Sequence, residues 1–202
     1  MWYKVNKRYI GTQQVRPYRY EYSYDFRNKT STQVTNDGWE VTRWSVLLNA
    51  NGLYSIGSMN ELFLSNTKLN TKLANSKKLT LKLLWVHQSG TWDFSWYYTT
   101  TWKYPSATKL TWVYYLTWSS NEYWYWWTKT TFTQTATWTY WYTYVVDLEL
   151  KTAILTFTQW STNTFTHSIS DTDIANIRDN NYIRLAVVWS NEAISKIDIL
   201  VE

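Results

Sequence analysis

The sequence predicts an all-β protein, an antiparallel β-sandwich of the jelly-roll or lectin-like type preceded by an extended N-terminal arm. The first observation is that β-branched and aromatic residues alternate with polar residues along most of the 202-residue chain, which is the period of a strand. The second is that clusters of turn-forming residues divide these runs, at NANG (49–52), HQSG (87–90), TWSSNE (117–122) and WSNE (189–192). Many short strands separated by turns are typical of two antiparallel sheets packed face to face.

Seven segments have the alternation and composition of strands. They cover residues 40–48, 79–87, 111–117, 131–143, 145–157, 182–190 and 193–201. In the second of them, Leu79, Leu81, Leu83 and Trp85 share one face, while the opposite face begins polar and becomes apolar. This strand is therefore expected to have one solvent-exposed face at its start and two covered faces near its end.

The run DLELKTAILTF (147–157) is interpreted as part of the fifth strand. Leu148 and Leu150 alternate with Asp147, Glu149 and Lys151, as in a sheet with one face in solvent. The carboxylates of Asp147 and Glu149 then lie on the same face, whereas cleavage of a glycosidic bond needs two carboxyl groups that converge across a cleft. We interpret this pair as part of the solvent-exposed face.

One short helix is predicted in the run SISDTDIANIRDNN (168–181). Ser170 can cap it, Asp171 and Asp173 suit its first turn, and Ile174 and Ile177 share a face. The alternative is a calcium loop built on Asp171, Asp173 and Asp179. It is disfavoured because its sixth position is Asn176 instead of glycine, and its twelfth is Tyr182 instead of glutamate.

The chain is divided into an arm, residues 1–36, and a β-sandwich domain, residues 37–202. The arm is polar, aromatic and basic, and it is too short to bury much surface by itself, so it is expected to lie along the sandwich or to dock onto another protein. Residues 65–78 contain two copies of NTKL and are interpreted as a solvated connection, since two copies of four residues are too few for a repeat array.

The distribution of tryptophan and glycine is unusual. The chain has 16 Trp and 5 Gly, and its last 112 residues contain 12 of the tryptophans and no glycine. Ordinary glycine usage of roughly 7% would give about 14. Many tryptophans stand beside Ser, Asn, Thr, Asp or Lys in runs that read as turns, where glycine is favoured. We hypothesise that UGA codons, read as Trp in some genetic codes and as Gly in others, place Trp where the natural protein has Gly at positions Trp92, Trp96, Trp102, Trp112, Trp118, Trp124, Trp126, Trp127, Trp138, Trp141 and Trp160.

Trp39, Trp44, Trp85 and Trp189 lie inside strand-like runs and are interpreted as genuine tryptophans. If the other tryptophans are genuine as well, two further interpretations stay open. They fill a core or a wide oligomer interface, or they form an aromatic surface on which a sugar or single-stranded nucleic acid stacks. For the ligand-binding interpretation the candidates are Trp124, Trp126 and Trp127.

No catalytic or metal-binding motif is found. The two histidines, His87 and His167, have no HxH, HExxH or HxxxH neighbour, and there is no cysteine, phosphate-binding glycine loop or GxSxG turn. We therefore expect a protein that is not an enzyme and that holds no cofactor or metal.

The net charge of +5 is mixed along the chain, so nucleic-acid binding is not expected. The N-terminus lacks the apolar stretch of a signal peptide, and no apolar run of about 18 residues predicts a membrane span.

The stretch YKVNKRYIGTQQVRP (3–17) resembles the opening of phage virion proteins, particularly tail, baseplate and fibre components. In these proteins a K-x-Y-x-G-x-x-x-V strand–turn–strand piece and an Arg-Pro pair precede a β-sandwich or lectin-like domain. The matching residues are Lys7, Tyr9, Ile10, Gly11, Thr12, Gln13, Val15, Arg16 and Pro17. The run NNYIRLAVVWSNEAISKIDILVE (180–202) is similar to the last strand pair of such sandwiches.

The resemblance implies a phage structural protein of the virion, assembled in the host cytoplasm, that decorates the surface or belongs to the tail and contacts the host. The arm is expected to anchor the protein through Tyr9, Ile10, Arg16 and Pro17. Expected partners are other virion proteins, further copies of the chain and a glycan of the host surface. Two alternatives stay open: a carbohydrate-binding β-sandwich module, and a subunit of a cellular surface or filament.

Overall fold

The computed structural model describes part of the chain, and all structural statements below refer to that part. The described residues are 8–10, 13–15, 20–43, 47–54, 59–64, 76–87, 92–99, 112–117, 121–125, 128–132, 139–158, 162–179, 183–188 and 192–202. They form mostly antiparallel β-structure with two short helices, α1 (Ser31–Asn36) and α2 (Asp171–Asp179).

Seventeen strands account for most of the described residues. In chain order they are β1 (Arg8–Ile10), β2 (Gln13–Val15), β3 (Tyr20–Asp25), β4 (Trp39–Arg43), β5 (Leu47–Asn49), β6 (Gly52–Tyr54), β7 (Met59–Leu64), β8 (Lys78–His87), β9 (Trp92–Thr99), β10 (Trp112–Thr117), β11 (Asn121–Tyr125), β12 (Thr128–Phe132), β13 (Thr139–Asp147), β14 (Thr152–Thr158), β15 (Thr162–Ser168), β16 (Ile183–Val188) and β17 (Glu192–Val201).

These strands form two large sheets and one hairpin. The seven-stranded sheet has the order β12-β11-β10-β9-β16-β7-β4. The eight-stranded sheet has the order β15-β14-β13-β8-β17-β6-β5, and β3 pairs with β17 as its eighth strand. The hairpin consists of β1 and β2 alone. The all-β fold class predicted from the sequence is confirmed, because the pairings are antiparallel throughout.

One face of the eight-stranded sheet forms the core. A row of paired residues crosses five of its strands and is at most 9% exposed: Tyr22, Ile199, Leu81, Tyr144 and Leu155. The neighbouring row is completely buried: Val201, Leu79, Val146 and Ala153. Burying a side chain of this size stabilises the fold by about 1.5–3 kcal/mol. The prediction that Leu79, Leu81 and Leu83 share a covered face is confirmed.

An aromatic cluster joins the two large sheets. It consists of Tyr22 and Tyr24 of β3, Phe26, and Trp39 of β4, which is 0% exposed. The rings of Phe26 and Trp39 have their centroids 5.1 Å apart at an interplanar angle of 59°, a tilted contact of the kind that aromatic pairs favour. Because β3 belongs to one sheet and β4 to the other, the Trp39 face of the seven-stranded sheet is turned toward the core.

The turn NANG between β5 and β6 is confirmed, and its glycine is required by the packing. Gly52 has φ +123°, and a Cβ at this position would lie 2.2 Å from the carbonyl oxygen of Ile194. A bulge at the buried Ser195 of β17 lies next to it: the carbonyl of Ser195 accepts from the amide of Phe26 at 2.8 Å, and its hydroxyl donates to the carbonyl of Asn51. The bulge therefore ties β17 to both β3 and the turn.

Most of the predicted elements agree with the structure. The strands predicted at 79–87, 111–117, 182–190 and 193–201 are confirmed as β8, β10, β16 and β17, with ends that differ by one or two residues. The helix predicted within 168–181 is confirmed as α2. Residues 171–179 are therefore helical and do not form the calcium loop that was the alternative.

Two predicted strands are divided in the structure. The segment 40–48 corresponds to β4 and β5, and 131–143 overlaps β12 and β13. The residues between these strands lie outside the described ones, as do residues 65–75 of the predicted connection and residues 88–90, 118–120 and 189–191 of three predicted turns.

The continuous strand predicted at 145–157 is wrong. The chain turns at residues 148–151 between β13 and β14, where the side chain of Asp147 accepts from the amides of Glu149 and Leu150 at 3.1 and 2.8 Å. Lys151 has φ +55°, which closes the turn. As a consequence Leu148 is 3% exposed and Leu150 is 73% exposed, instead of sharing one face. The carboxylate of Asp147 caps a turn and that of Glu149 is exposed at it.

Residues 20–36 of the predicted arm lie along the sandwich, which is the first of the two arrangements expected for the arm. β3 pairs with β17 from Tyr20 opposite Val201 to Asp25 opposite Lys196. The helix α1 follows, and its reciprocal capping box between Thr30 and Gln33 was not recognised in the sequence. The domain boundary after residue 36, between α1 and β4, stays a prediction.

Candidate functional site

The seven-stranded sheet has one face toward the core and one away from it. Trp39 is buried against the other sheet, and residues paired across strands lie on the same face. The row of Trp39 continues through Leu64, Ile183 and Thr99. Because faces alternate along a strand, the neighbouring rows lie on the opposite side, which we call the outer face.

The positions of charged residues agree with a solvent-exposed outer face. Six of the seven charged residues in these strands belong to outer rows, and only Asp93 is on the face of Trp39. Charged residues are mostly exposed in folded proteins, so this distribution of residue types is the one expected of a face turned toward solvent. The six are Glu40, Arg43, Glu61, Glu122, Lys129 and Arg184.

Large aromatic residues occupy adjacent positions on the outer face. Trp96 of β9 is opposite Val113 of β10, which is opposite Trp124 of β11. Strands in a sheet are about 4.8 Å apart, so the backbones at Trp96 and Trp124 are about 10 Å apart. We define the outer aromatic patch as five of the aromatic positions on this face: Phe94, Trp96, Tyr98, Tyr115 and Trp124. Trp92 and Phe63 also belong to rows of the outer face.

Polar positions border the outer aromatic patch. Lys129 is opposite Trp124, Glu122 is opposite Tyr115, and Arg184 is opposite Tyr98. Residue types that donate or accept hydrogen bonds therefore occupy positions next to aromatic residue types on this face. This is the combination that small-molecule sites use to fix orientation as well as affinity.

The structure brings one of the predicted ligand-binding residues into this patch. Trp124 lies in β11, while Trp126 and Trp127 lie outside the described residues. The other four members of the patch were not identified from the sequence. The signal for three of them was the alternation in WDFSWYYT (92–99), where Phe94, Trp96 and Tyr98 share a face.

Two of the four predicted anchor residues lie in the described part of the chain, and two lie outside it. Tyr9 and Ile10 lie in β1, opposite Gln14 and Gln13 of β2. Among the described strands, neither β1 nor β2 pairs with a strand of the two large sheets. Arg16 and Pro17 lie outside the described residues.

Five tryptophans that the glycine hypothesis names are in strands. They are Trp92, Trp96, Trp112, Trp124 and Trp141. Strands favour aromatic residues and are weakened by interior glycine, so the argument from turn position is wrong for these five. Trp141 also packs under Lys82, whose Nζ lies 4.3 Å from the ring centroid. The remaining six positions lie outside the described residues, and the exchange of Trp for Gly stays a prediction.

Hydrogen bonds secure the edge of the seven-stranded sheet. The hydroxyl of Tyr24 donates to Asp37 at 2.8 Å, and the ammonium of Lys29 donates to the same oxygen at 3.1 Å. The Tyr24 hydroxyl, followed by Lys29, holds the pKa of Asp37 below its ordinary value. Burial, followed by the bond to Asp37, raises the pKa of Tyr24, which keeps the phenol neutral. This network holds α1 and β4 against β3.

Two further features concern the types of site that the sequence disfavours. Within the part of the chain that the structure describes, no group of three or more His, Asp or Glu residues is placed to hold a metal ion. No helix in the described ranges is long and apolar enough to cross a membrane.

Comparisons with known proteins identify the fold. No protein-family model and no curated protein sequence matches the chain. Among solved structures, peanut lectin in complex with a nine-residue peptide has a TM-score of 0.59 at 8% identity, covering 91% of this chain and 97% of the lectin. The winged bean acidic lectin with methyl-α-D-galactose has a TM-score of 0.57 at 9% identity, covering 91% and 98%. A protein of unknown function from Shewanella oneidensis has a TM-score of 0.53 at 12% identity, covering 91% and 86%. The chain thus shares the antiparallel β-sandwich fold of these lectins.

Proposed function

We propose that the protein is a non-catalytic carbohydrate-binding module whose ligand stacks on the outer aromatic patch. The observation that carries the proposal is the cross-strand register of Trp96, Val113 and Trp124, which aligns two tryptophan positions across three strands of the outer face. This is the alternative considered from the sequence, extended from three neighbouring tryptophans to a surface formed by three strands.

The chemistry of the patch supports a sugar as ligand. A pyranose has an apolar face of C–H groups and a rim of hydroxyl groups. The aromatic residue types of the patch suit the apolar face of the sugar. The charged residue types at Glu122, Lys129 and Arg184 suit its hydroxyl groups. Two of the lectins with the same fold were crystallised with sugars, methyl-α-D-galactose and the methyl glycoside of α-L-fucose.

A glycan array tests the proposal. The labelled protein is expected to bind a subset of glycans, and Trp124→Ala and Trp96→Ala are each expected to weaken that binding by about tenfold to a hundredfold, as for loss of one aromatic stacking surface. Trp141→Ala is the matched control, because Trp141 is half-exposed on the other large sheet. Absence of glycan binding, or equal losses in all three variants, would refute the assignment.

We propose as a second function that the protein is a virion component attached through its arm. The observation in favour is that β1 and β2 pair only with each other among the described strands, so that Tyr9 and Ile10 belong to a separate hairpin. Deletion of residues 1–19 stops before β3, so the sandwich is expected to fold with an unchanged circular dichroism spectrum while the protein no longer enters particles. Normal incorporation of the shortened protein would contradict this role, and it would leave the glycan-binding proposal intact.

A further inference from the structure

The free edges of the two large sheets differ in how they are protected against pairing with another chain. An exposed edge strand presents unpaired N–H and C=O groups, and proteins usually blunt such an edge with a charge, a bulge, a proline or a very short strand. Among the described strands, β12 carries Lys129, β4 has a bulge between Val41 and Arg43, β5 has three residues, and β3 carries Glu21 and Asp25. Each of these edges has a protective device.

The strand β15 has none of them. Its sequence, TNTFTHS, has no proline and no acidic or Lys/Arg residue, and all seven residues pair with β14 without a bulge. Burial lowers the pKa of His167, which keeps its imidazole uncharged at neutral pH. In the described part of the chain, β15 has a strand neighbour on one side only.

The helix that follows β15 leads away from this edge. Asp171, at the start of α2, is paired with Lys151 in the turn between β13 and β14. Arg178, near its end, donates to the carbonyl of Ser76, which precedes β8. Because β8 is separated from β15 by two strands, α2 crosses the end of the sheet and does not cover the edge of β15.

The direction of the backbone groups on β15 follows from one hydrogen bond. The amide of Ile169 donates to the carbonyl of Lys151 at 2.8 Å, continuing the register in which Ser168 is opposite Thr152. Hydrogen-bonding alternates along an antiparallel strand, so Phe165 faces β14 with its backbone groups, and Thr162, Thr164 and Thr166 direct theirs to the open side. The side chains of these three threonines are exposed.

We propose that β15 is a self-association edge that pairs antiparallel with β15 of a second copy, around a two-fold axis at Phe165. In this register Thr164 is opposite Thr166 of the second copy, Phe165 is opposite itself, and Thr162 is opposite Ser168. The outward amides and carbonyls of Thr164 and Thr166 are then exchanged as a hydrogen-bonded pair. The pairing is isologous, as most homodimers are, and it joins the two eight-stranded sheets into one continuous sheet.

The sequence is self-complementary in this register. The outer face continues as a row of hydroxyl groups, since threonine meets threonine at the centre and serine at the ends. The half-buried Phe165 meets its counterpart in a position where the two residues do not exchange hydrogen bonds and their side chains are closest. The edge strand β15 thereby pairs with β15 of the second copy without burying an acidic, Lys or Arg side chain.

Sedimentation of the full chain over a range of concentrations tests whether the edge associates. The wild-type protein is expected to form dimers, and Thr164→Lys is expected to weaken them at least about tenfold, because the ammonium meets an uncharged edge. Ser23→Lys is the matched control. Ser23 is exposed and belongs to the same cross-strand row as Thr164, at the opposite end of the sheet. A wild-type monomer at all concentrations, or equal dimerisation by Thr164→Lys, overturns the proposal.

The absence of cysteine allows the register itself to be tested by disulfide formation. The variants Thr164→Cys and Thr166→Cys are expected to cross-link with each other when mixed, since their Cα atoms are about 5.5 Å apart in the proposed pairing, within the range of a disulfide. Each variant alone is expected to cross-link poorly, since residues displaced diagonally by two positions are about 7–8 Å apart. Cross-linking of either variant alone that equals the mixture, or no cross-linking in the mixture, contradicts the Phe165-centred dimer.

Discussion

The indole Nε1 of Trp39 donates a hydrogen bond of 3.1 Å to the hydroxyl of Tyr22, and this bond connects the two large sheets. Trp39 starts β4 of the seven-stranded sheet, and Tyr22 lies in the middle of β3 in the eight-stranded sheet. Both residues are buried. The sheet that carries the outer aromatic patch is therefore held to the other by a polar contact inside an otherwise apolar cluster.

Removing the acceptor of this bond should destabilise the protein. Tyr22→Phe leaves the indole N–H of Trp39 buried without its acceptor, and the expected loss in the free energy of unfolding is about 1–3 kcal/mol. Urea unfolding followed by circular dichroism measures it. Leu150→Ala serves as the reference, because Leu150 is 73% exposed and should change stability by less than about 0.5 kcal/mol. Equal stabilities of the two variants would show that the bond is not structural.

The two glycines with positive φ should respond differently to alanine. Gly38→Ala introduces the strain of the left-handed region alone, about 1–2 kcal/mol, because nothing lies within 4 Å of the added Cβ. Gly52→Ala adds a collision with the backbone of Ile194, so the bulge at Ser195 has to move. We expect the second variant to have the lower midpoint of thermal unfolding. The opposite order would mean that the turn between β5 and β6 does not pack against β17.

The turn at residues 148–151 predicts a contrast between two leucines that are close in sequence. Leu148→Ala should cost about 2–5 kcal/mol, since Leu148 is 3% exposed, whereas Leu150→Ala should be nearly neutral. A continuous strand would place both leucines on one face and give similar losses. Unfolding curves of the two variants in urea thus distinguish the turn from the strand.

The burial of His167 makes stability depend on pH. Burial lowers the pKa of His167 in the folded state below the ordinary value of 6.5, so the unfolded chain binds the proton first as the pH falls. The stabilising effect of the neutral imidazole is complete above pH 6.5 and is lost as the pH falls toward the folded-state pKa. The free energy of unfolding of the wild type should therefore decrease between pH 7 and 5 more steeply than that of His167→Gln. Parallel profiles would show that this imidazole is not desolvated.

The identity of the residues at the tryptophan positions can be determined on native material. Peptide mass spectrometry across residues 92–99 and 118–141 distinguishes Trp from Gly directly. The carbohydrate-binding proposal expects Trp at positions 96 and 124, where the residues lie in strands. The exchange hypothesis expects Gly at the positions that it names. Glycine at both 96 and 124 would remove the aromatic surface and, with it, the proposed stacking site.

The strands that could be predicted from the sequence are those with long, regular alternation and clear turn residues at their ends. The alternation of β8 and β17 identifies their buried faces, and NANG marks the turn before Gly52. The run DLELKT misled the prediction because its alternation of leucines and charged residues imitates a strand. What decides its conformation is the side chain of Asp147, which bonds to the backbone two and three residues later.

The outer aromatic patch could not be predicted from the sequence, because it depends on pairings between distant segments. Trp96 and Trp124 become neighbours only through the register of β9 with β10 and of β10 with β11. Sequence alternation identifies which residues of one strand share a face, but not which strand lies beside it. The sequence therefore pointed to Trp124 together with its neighbours along the chain, and the structure points to Trp124 together with its neighbours across the sheet.

The position of β17 has a consequence for how the protein folds. Tyr22 pairs with Ile199, so almost the whole described chain lies between two strands that are neighbours in the sheet. Closing so long a loop costs entropy before the contact stabilises anything, and β-proteins with such distant pairings fold in milliseconds to seconds. β3 and the ring of Trp39 beside it cannot reach their final places until β17 has been synthesised. During translation the aromatic residues of β3 therefore remain without the strand that pairs with them.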